Sequence, residues 1–534
     1  MSTVFYGGLI SPTSLTSYLA LPRALLSVSR TNGVIEWLED DVSADELQSV
    51  LAKHGHSSLG DYNQDLEVIE LKFGEFLMPG FVDTHTHAPQ FPNIGSGQQY
   101  ELLDWLDNVT FPMEARFQDV KFARKAYSTV VRRIIDFGTT TCCYYGTLHL
   151  EATKALADIV KAYVSLQNTV ELVSYIRSIA GNAVDGVSEE APRISSSGTA
   201  DRDLGRRLPL VQPVVTPRFA ISCTSELLDG LGQLVKADPT LTIQTHISEN
   251  ESEIATTKSL FPAAILPPLP DGSPRTSPVT YADVYDAYGL LNEKTILAHA
   301  IHLEDEEVRL IKERNAGISH CPTSNFNLRS GFAKVGMLLD HGIKVGLGTD
   351  VSGGFSPSIL NVIQNASICS KVVALNASST TTSNAPPDSA SQVLNGIPSE
   401  GLLKKDTFTN RQLSVPTLLY LSTMGGAEVC NLSTHIGSLT PGKSFDALLI
   451  SVRSSSGNPG IWGADLDDNF GMGMRSSTSV DDGPDDKHEG GRSSPGKEKE
   501  LEGILERFLF CGDDRNIRRV YVRGRMIGGK EFRG

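Results

Sequence analysis

The chain has 534 residues, of which 40% are hydrophobic and 21% are charged, as in an ordinary soluble globular protein. Its formal net charge of −16 disfavours nucleic acids and anionic membrane surfaces as partners. We find no apolar run of about eighteen residues and no secretory leader pattern, so we expect neither a membrane span nor secretion. The seven scattered cysteines lack metal-finger spacing, which indicates reduced thiols and a cytoplasmic location.

Both ends of the chain have β-strand patterns. Near the start, Ala24–Ser29 and Val34–Leu38 flank an Asn-Gly pair, which is typical of a β-hairpin. Strand-like runs return at Phe445–Ile450 and Val520–Arg525. One small β-sandwich domain built from residues 1–78 and 437–534 explains both ends more economically than two separate domains.

The middle of the chain repeats one local pattern, in which a helix-like segment ends at glycine and a short apolar strand follows. Val131–Gly138 leads into Thr139–Tyr145 in this way, and Leu339–Gly342 leads into Ile343–Asp350. Repetition of this unit is typical of a parallel (β/α) barrel. The sequence therefore predicts an α/β fold, a (β/α)8 TIM-type barrel, over residues 79–436.

Three polar stretches rich in Ser, Pro, Gly, Thr or charge interrupt these patterns. They span about 262–279, 376–395 and 471–500, and their composition predicts flexible surface loops.

A short apolar strand ends in two histidines, His85 and His87. Alternate side chains of a strand point the same way, so both imidazoles face one side. Such a pair forms half of a zinc site, since zinc binds histidine nitrogen at about 2.0–2.1 Å. The ordinary alternative is a pair of surface or core histidines.

Other candidate ligands follow later strand-like runs. His246 ends one run, with Glu249 three residues later, His299 ends another, and Asp350 lies in a glycine-rich turn. Each alone would usually be a core histidine or a turn former. Because such residues lie at four separate strand ends, the sequence favours a catalytic metal site.

These motifs together resemble the amidohydrolase superfamily, and more narrowly its guanine deaminase family. The superfamily resemblance rests on Pro79–His87, His246, His299 and Gly348–Asp350. The narrower resemblance rests on His87–Gln90, Pro213–Phe219, His246–Asn250, His320–Asn325 and Gly512–Ile517.

The resemblance implies one Zn²⁺ per chain. Its ligands would be His85, His87, His246 and Asp350. We identify no lysine at a matching barrel position that would form a bridging carbamate, which agrees with the mononuclear type.

The resemblance also implies a reaction, the hydrolysis of guanine to xanthine and ammonia in purine catabolism. Asp350 would take the proton of the zinc-activated water, and Glu249 would protonate a ring nitrogen of guanine. His299 would orient the hydroxide and stabilise the tetrahedral intermediate. Gln90 and Arg218 would read the edge of the purine, and Phe219 would supply an aromatic face. The substrate-binding residues implied are His87, Gln90, Arg218, Phe219, His246, Glu249 and Asp350, and the implied assembly is a homodimer.

Residues 164–207 depart from the family pattern at a place where the family has a barrel strand. An unusual splice form or an imperfect gene structure is our hypothesis for this departure. Two alternatives to a guanine deaminase stay open. One is an aminohydrolase of the same superfamily that acts on a related heterocycle, and the other is a catalytically silent binding or scaffold protein.

Overall fold

The computed structural model describes residues 1–56, 66–163, 208–269, 271–276, 278–382, 408–462 and 495–533. The described strands are β1 Ser2–Ser14, β2 Ser17–Ser29, β3 Ile35–Glu39, β4 Leu66–Glu70, β5 Glu75–Pro79, β6 Phe81–His87, β7 Thr139–Tyr145, β8 Val214–Val215, β9 Thr242–Ile247, β10 Thr295–His299, β11 Gly317–His320, β12 Lys344–Leu347, β13 Ala447–Ser451, β14 Ile517–Val522 and β15 Arg525–Gly528.

The described helices are α1 Leu47–Lys53, α2 Leu102–Trp105, α3 Phe111–Ala115, α4 Val120–Asp136, α5 Leu150–Tyr163, α6 Ser225–Ala237, α7 Glu251–Leu260, α8 Tyr281–Ala287, α9 Asp305–Glu313, α10 Pro322–Asn327, α11 Val335–Asp340, α12 Ile359–Thr382, α13 Val415–Ser422, α14 Met424–Val429 and α15 Pro495–Cys511. A π-helical turn, Leu106–Thr110, joins α2 to α3. Within the described ranges, none of these helices combines the length and apolar character that crossing a bilayer requires.

Strands from the two ends of the chain form one sheet. Its order is β15-β14-β13-β5-β1-β2-β3, with β4 paired to β1. The link between the two ends is the antiparallel pair of β13 and β5. The predicted hairpin is confirmed, since β2 pairs antiparallel with β3. The boundaries of a separate domain, residues 1–78 with 437–534, stay a prediction.

The hairpin turn contains Gly33 in the left-handed region, with φ of +68°. A Cβ atom there would lie 1.8 Å from the carbonyl oxygen of Arg523, so the turn is pressed against the β14–β15 connection. Gly33→Ala should therefore lower the free energy of unfolding by about 2–4 kcal/mol, which combines left-handed strain with overpacking. The matched control is Gly289→Ala, because Gly289 has φ of +69° and open space around its Cβ position. Equal shifts of the two melting temperatures would contradict the close contact at Gly33.

The parallel strands alternate with helices in the middle of the chain. β6 pairs with β7, and a second sheet has the order β12-β11-β10-β9-β8. The two sheets meet where β6 lies beside β12, because Thr84 Oγ1 donates to the Leu347 carbonyl at 2.9 Å. The Asp350 amide also donates to the His85 carbonyl at 2.8 Å. This alternation confirms the predicted fold class, a (β/α) barrel accompanied by β structure from both termini.

Helix α4 shows how the sequence builds the barrel wall. Asp119 caps its start by accepting a hydrogen bond from the Lys121 amide, and Gly138, with φ of +86°, follows its end. Its buried residues recur at helical spacing and join the main hydrophobic core, among them Tyr127, Val130 and Ile134. The helix is thereby held against the strands that carry the site.

The predicted loops need two corrections. Helix α12 continues to Thr382, into the predicted loop 376–395, and α15 begins at Pro495, within the predicted loop 471–500. A nucleated helix propagates at low cost even through weak helix formers, and proline is well suited to the first helical position. The rest of these two loops, and the departure at 164–207, lie outside the described residues.

The loop predicted at 262–279 is irregular but anchored where it is described. Leu266 is buried, and Arg275 forms an ion pair with Asp286 at 3.5 Å.

Candidate active site

The ends of the barrel strands bring five buried side chains together. His85 and His87 lie on β6, His246 on β9 and His299 on β10, and Asp350 follows β12. The Asp350 Oδ1 atom lies 3.0 Å from His85 Nε2 and 3.3 Å from His87 Nε2. The Nε2 atoms of His87 and His246 are 3.3 Å apart. One candidate ligand atom from each of His85, His246, His299 and Asp350 lies within 4.8 Å of the others.

The side chains of His85, His87, His246 and Asp350 are spaced as the ligands of a tetrahedral metal ion would be. Four atoms placed tetrahedrally at about 2.0–2.1 Å from zinc are about 3.3–3.4 Å apart, close to the separations around Asp350 and His87. Burial lowers the pKa of His85, and it lowers that of His87 to about 4, so both imidazoles are neutral near pH 7. Burial opposes ionisation of Asp350, but the neighbouring histidines hold its pKa well below the usual value. Neutral imidazoles and an ionised carboxylate are the forms that bind a metal.

The backbone turns sharply at the strand ends that carry these groups. Ser248, His299, Ala300 and Asp350 have φ values of 49°, 74°, 50° and 44°, in the left-handed region that non-glycine residues rarely adopt. Each such residue costs on the order of 1 kcal/mol or more and persists where surrounding contacts enforce it. Their concentration here indicates a functional site.

Two histidines are oriented through their second ring nitrogen. His246 Nδ1 donates to the backbone carbonyl of Arg218, and His299 Nδ1 donates to Asn325 Oδ1 at 2.9 Å. These bonds direct both Nε2 atoms into the site, the arrangement that partners of metal-site histidines usually provide. His299 Nε2 thereby comes within 3.4 Å of Glu249 Oε2 and 3.8 Å of Asp350 Oδ2.

Glu249 is presented by the turn between β9 and α7. Glu253 Oε2 accepts hydrogen bonds from the amides of Glu249 and Asn250, at 2.9 and 3.3 Å, and so holds this turn. Ser330 Oγ donates to Glu249 Oε1 at 3.1 Å. Burial, with a further contribution from the charge of Asp350, raises the pKa of Glu249 to about 8. Burial thus favours the protonated form of Glu249, while the histidines favour the ionised form of Asp350, a contrast suited to acid–base catalysis.

The predicted substrate contacts lie beside this cluster. Gln90 follows β6 in a 3-10 turn, where its Nε2 donates to Glu114 Oε1 at 2.9 Å and its Oε1 accepts from the Ser352 amide at 3.1 Å. Arg218 Nη1 donates to both carboxylate oxygens of Glu114 at 2.8 Å. The centroid of the Phe219 ring lies 5.7 Å from that of His246, so an aromatic side chain borders the histidines.

Comparison with known proteins identifies the family. The Amidohydrolase family profile matches residues 76–527. The chain belongs to the amidohydrolase family. The guanine deaminase of Dictyostelium discoideum is 35% identical, covering 98% of this chain and 98% of the relative. The guanine deaminase of Escherichia coli is 29% identical, covering 85% of this chain and 83% of the relative.

Solved structures of amidohydrolases agree with the sequence comparison. The guanine deaminase from C. acetobutylicum, solved with guanine bound in its active site, has 28% identity and a TM-score of 0.68. The similarity covers 99% of this chain and 100% of that one. The resemblance to guanine deaminases is thus confirmed over the full chain, and the buried histidine–aspartate cluster of this amidohydrolase has side chains that can hold a metal ion.

Sequence patterns gave no role to several residues of this amidohydrolase site. The Tyr145 ring packs on His85, His87 and His246, with centroid distances of 4.8, 4.4 and 5.1 Å. Its position at the end of a strand-like run was a usable signal. Glu114 and Ser330 lie away from any strand end, and no sequence pattern points to them.

Asn325 offers a test of how His299 is oriented. Asn325→Ala removes the acceptor for His299 Nδ1, so we expect kcat to fall about 10–100-fold while bound metal is retained. Steady-state kinetics and metal analysis would measure both effects. Asn365→Ala is the control, because Asn365 bonds Thr323 at the start of the same helix without touching His299. Equal losses in the two variants would contradict an orienting role.

Proposed function

We propose that this amidohydrolase catalyses the zinc-dependent hydrolysis of guanine to xanthine and ammonia. The observation that carries the proposal is the position of Glu249, a buried carboxyl whose pKa is raised to about 8, beside His299 and near Asp350. A proton donor, a proton acceptor and a metal-type donor set meet there, next to side chains that can read a purine. Relatives named guanine deaminase that align with nearly the whole of this chain support guanine as the substrate.

His85, His87, His246 and Asp350 would hold one zinc ion per chain. When bound, zinc supplies Lewis-acid activation of water at neutral pH. The separations of 3.0 and 3.3 Å around Asp350 Oδ1 support this assignment. The family resemblance places His299 outside the ligand set, and its Nε2 lies 3.4 Å from Glu249 Oε2, beside the proposed proton donor.

Proton transfer is divided between two carboxyl groups. Asp350, held ionised by the surrounding histidines, accepts the proton that the attacking water loses. Glu249 donates a proton to a ring nitrogen of guanine, which makes the amine-bearing carbon more electrophilic. His299, fixed by Asn325, orients the attacking oxygen and stabilises the charge that develops on it. Asp350 then returns its proton to the leaving amine, and the remaining hydroxyl proton of the tetrahedral intermediate passes to Glu249 as the intermediate collapses to xanthine and ammonia.

Guanine is selected by hydrogen bonds rather than by shape alone. The Gln90 amide can both donate and accept, and the Arg218 guanidinium donates to a carbonyl oxygen. Phe219 adds an aromatic face. A substrate without matching groups leaves buried polar atoms unpaired, which costs it heavily in the transition state.

The family resemblance extends the proposal to a homodimer in purine catabolism. The seven cysteines all lie in described residues, and each is a free thiol, which supports a cytoplasmic location. The proposed catalytic domain is residues 79–436.

Competition between substrates tests the proposed specificity. Purified protein should convert guanine at least about 10²-fold more efficiently, by kcat/KM, than adenine or a pterin carrying a comparable amine. Equal turnover of these compounds would favour a different heterocyclic substrate. The absence of any turnover would favour the silent alternative.

A further inference from the structure

We propose that Glu114 is a positioning residue that holds both purine-reading side chains, Gln90 and Arg218, and so sets the preference for a purine with a ring carbonyl. The inference rests on the proposed function. One carboxylate contacts both groups: Oε1 accepts from Gln90 Nε2 at 2.9 Å and from Arg218 Nη1 at 2.8 Å, and Oε2 accepts from Nη1 at 2.8 Å.

For Gln90, the contact selects one orientation of the side-chain amide. An ionised carboxylate only accepts hydrogen bonds, so it requires the Gln90 nitrogen on its side. The Ser352 amide only donates, and it requires the Gln90 oxygen on the other side. Gln90 is buried, and its side-chain nitrogen and oxygen each make one of these hydrogen bonds. The second N–H and the second oxygen lone pair of its amide therefore have a fixed direction in which they can bind a purine edge.

For Arg218, the contact decides which guanidinium edge is available. Glu114 occupies Nη1, whereas the Nε atom is buried and has no hydrogen-bond partner among the described residues. The Arg218 guanidinium carbon also lies 5.8 Å from the ring centroids of Phe111 and Phe219, which border it. The unpaired Nε–H is thus a donor without an acceptor, as expected of a group that awaits a substrate carbonyl.

The position of Glu114 in the fold supports this role. It lies on α3, and the preceding π-helical turn is tied to the Gln90 turn because Asn93 Nδ2 donates to the Val109 carbonyl at 3.0 Å. The Glu114 and Arg218 side chains are only 13% and 19% exposed, so solvent screens their pair weakly. Loss of Glu114 would therefore release both readers together.

The test compares guanine with 2-aminopurine, which keeps the amine and lacks the ring carbonyl. We expect Glu114→Gln to raise KM for guanine about 10–100-fold, with kcat changed less than about threefold. An amide at this position must turn a donor toward one of the two readers. The ratio of kcat/KM for guanine to that for 2-aminopurine should fall at least about tenfold, because only guanine uses the Arg218 donor.

Glu306→Gln is the control, since Glu306 pairs with Arg309 on the exposed surface and its substitution removes the same charge. Melting temperature and zinc content are measured for each variant. The inference is wrong if kcat/KM falls equally for both purines, or if it falls together with the melting temperature, because Glu114 would then have only a structural role.

The unaltered protein distinguishes failure of the inference from failure of the proposed function. If it releases no ammonia from guanine, the proposed function fails, and this inference fails with it. If the unaltered protein is active and Glu114→Gln matches Glu306→Gln, only the inference fails.

Discussion

Replacement of Glu249 by glutamine is expected to lower kcat for guanine about 10²–10⁴-fold while zinc stays bound. Glutamine has nearly the same shape and can still accept the hydrogen bond from Ser330 Oγ, but it has no acidic proton. The fall in kcat therefore reports the missing proton donation and not a change in packing. Steady-state kinetics with metal analysis would measure it, and Glu251→Gln, an exposed change at the start of α7, is the control. A variant that keeps more than about a tenth of the original kcat would contradict the role of Glu249 as the general acid.

The same residue should shape the alkaline limb of the pH profile. The active form of a general acid is protonated, so kcat/KM declines as pH rises through the pKa of Glu249. Burial and Asp350 raise that pKa to about 8, and a nearby zinc ion favours the ionised carboxylate. The decline is thus expected at or below about pH 8, and any activity that remains in Glu249→Gln should lack it.

Substitution of the histidines should separate metal ligands from the orienting residue. We expect His87→Ala to lose zinc during dialysis against a mild chelator, with no measurable guanine turnover. His299→Ala should keep close to one zinc per chain and lose about 10²–10³-fold in kcat, because an orienting hydrogen bond is removed while the ligands stay. Metal content by mass spectrometry, measured beside the kinetics, distinguishes the two.

The reverse outcome would change the ligand assignment. His85, His246, His299 and Asp350 also place ligand atoms within 4.8 Å of one another. Zinc retention in His87→Ala, with loss in His299→Ala, would make that group the ligand set. The barrel and its strand ends would be unaffected by this correction.

The barrel and the core of the site could be predicted because their signals are local. A helix, a glycine and a short strand recur in neighbouring residues, and parallel strands place the groups at their carboxyl ends together. His85 and Asp350 are 265 positions apart, yet each could be identified from its own strand end. Once the strands are in place, burial lowers the pKa of His85, whereas the surrounding histidines, against the effect of burial, hold the pKa of Asp350 low.

The residues that sequence patterns did not reveal depend on contacts between distant segments. Glu114 lies 24 positions from Gln90 and 104 from Arg218, and nothing in α3 itself marks it as a partner of either. Ser330 meets Glu249 across 81 positions in the same way. These contacts depend on how distant segments pack together in the fold, which hydrophobic periodicity does not encode.

The most decisive measurement is made on the purified, full-length protein. Zinc per chain is determined first, and xanthine and ammonia are then quantified after incubation with guanine, before and after removal of the metal by a chelator. We expect about one zinc per chain, equal amounts of xanthine and ammonia, loss of turnover on metal removal and recovery when zinc is restored. A folded protein that binds no zinc, or that releases no ammonia from guanine when loaded with zinc, would contradict the assignment of this site.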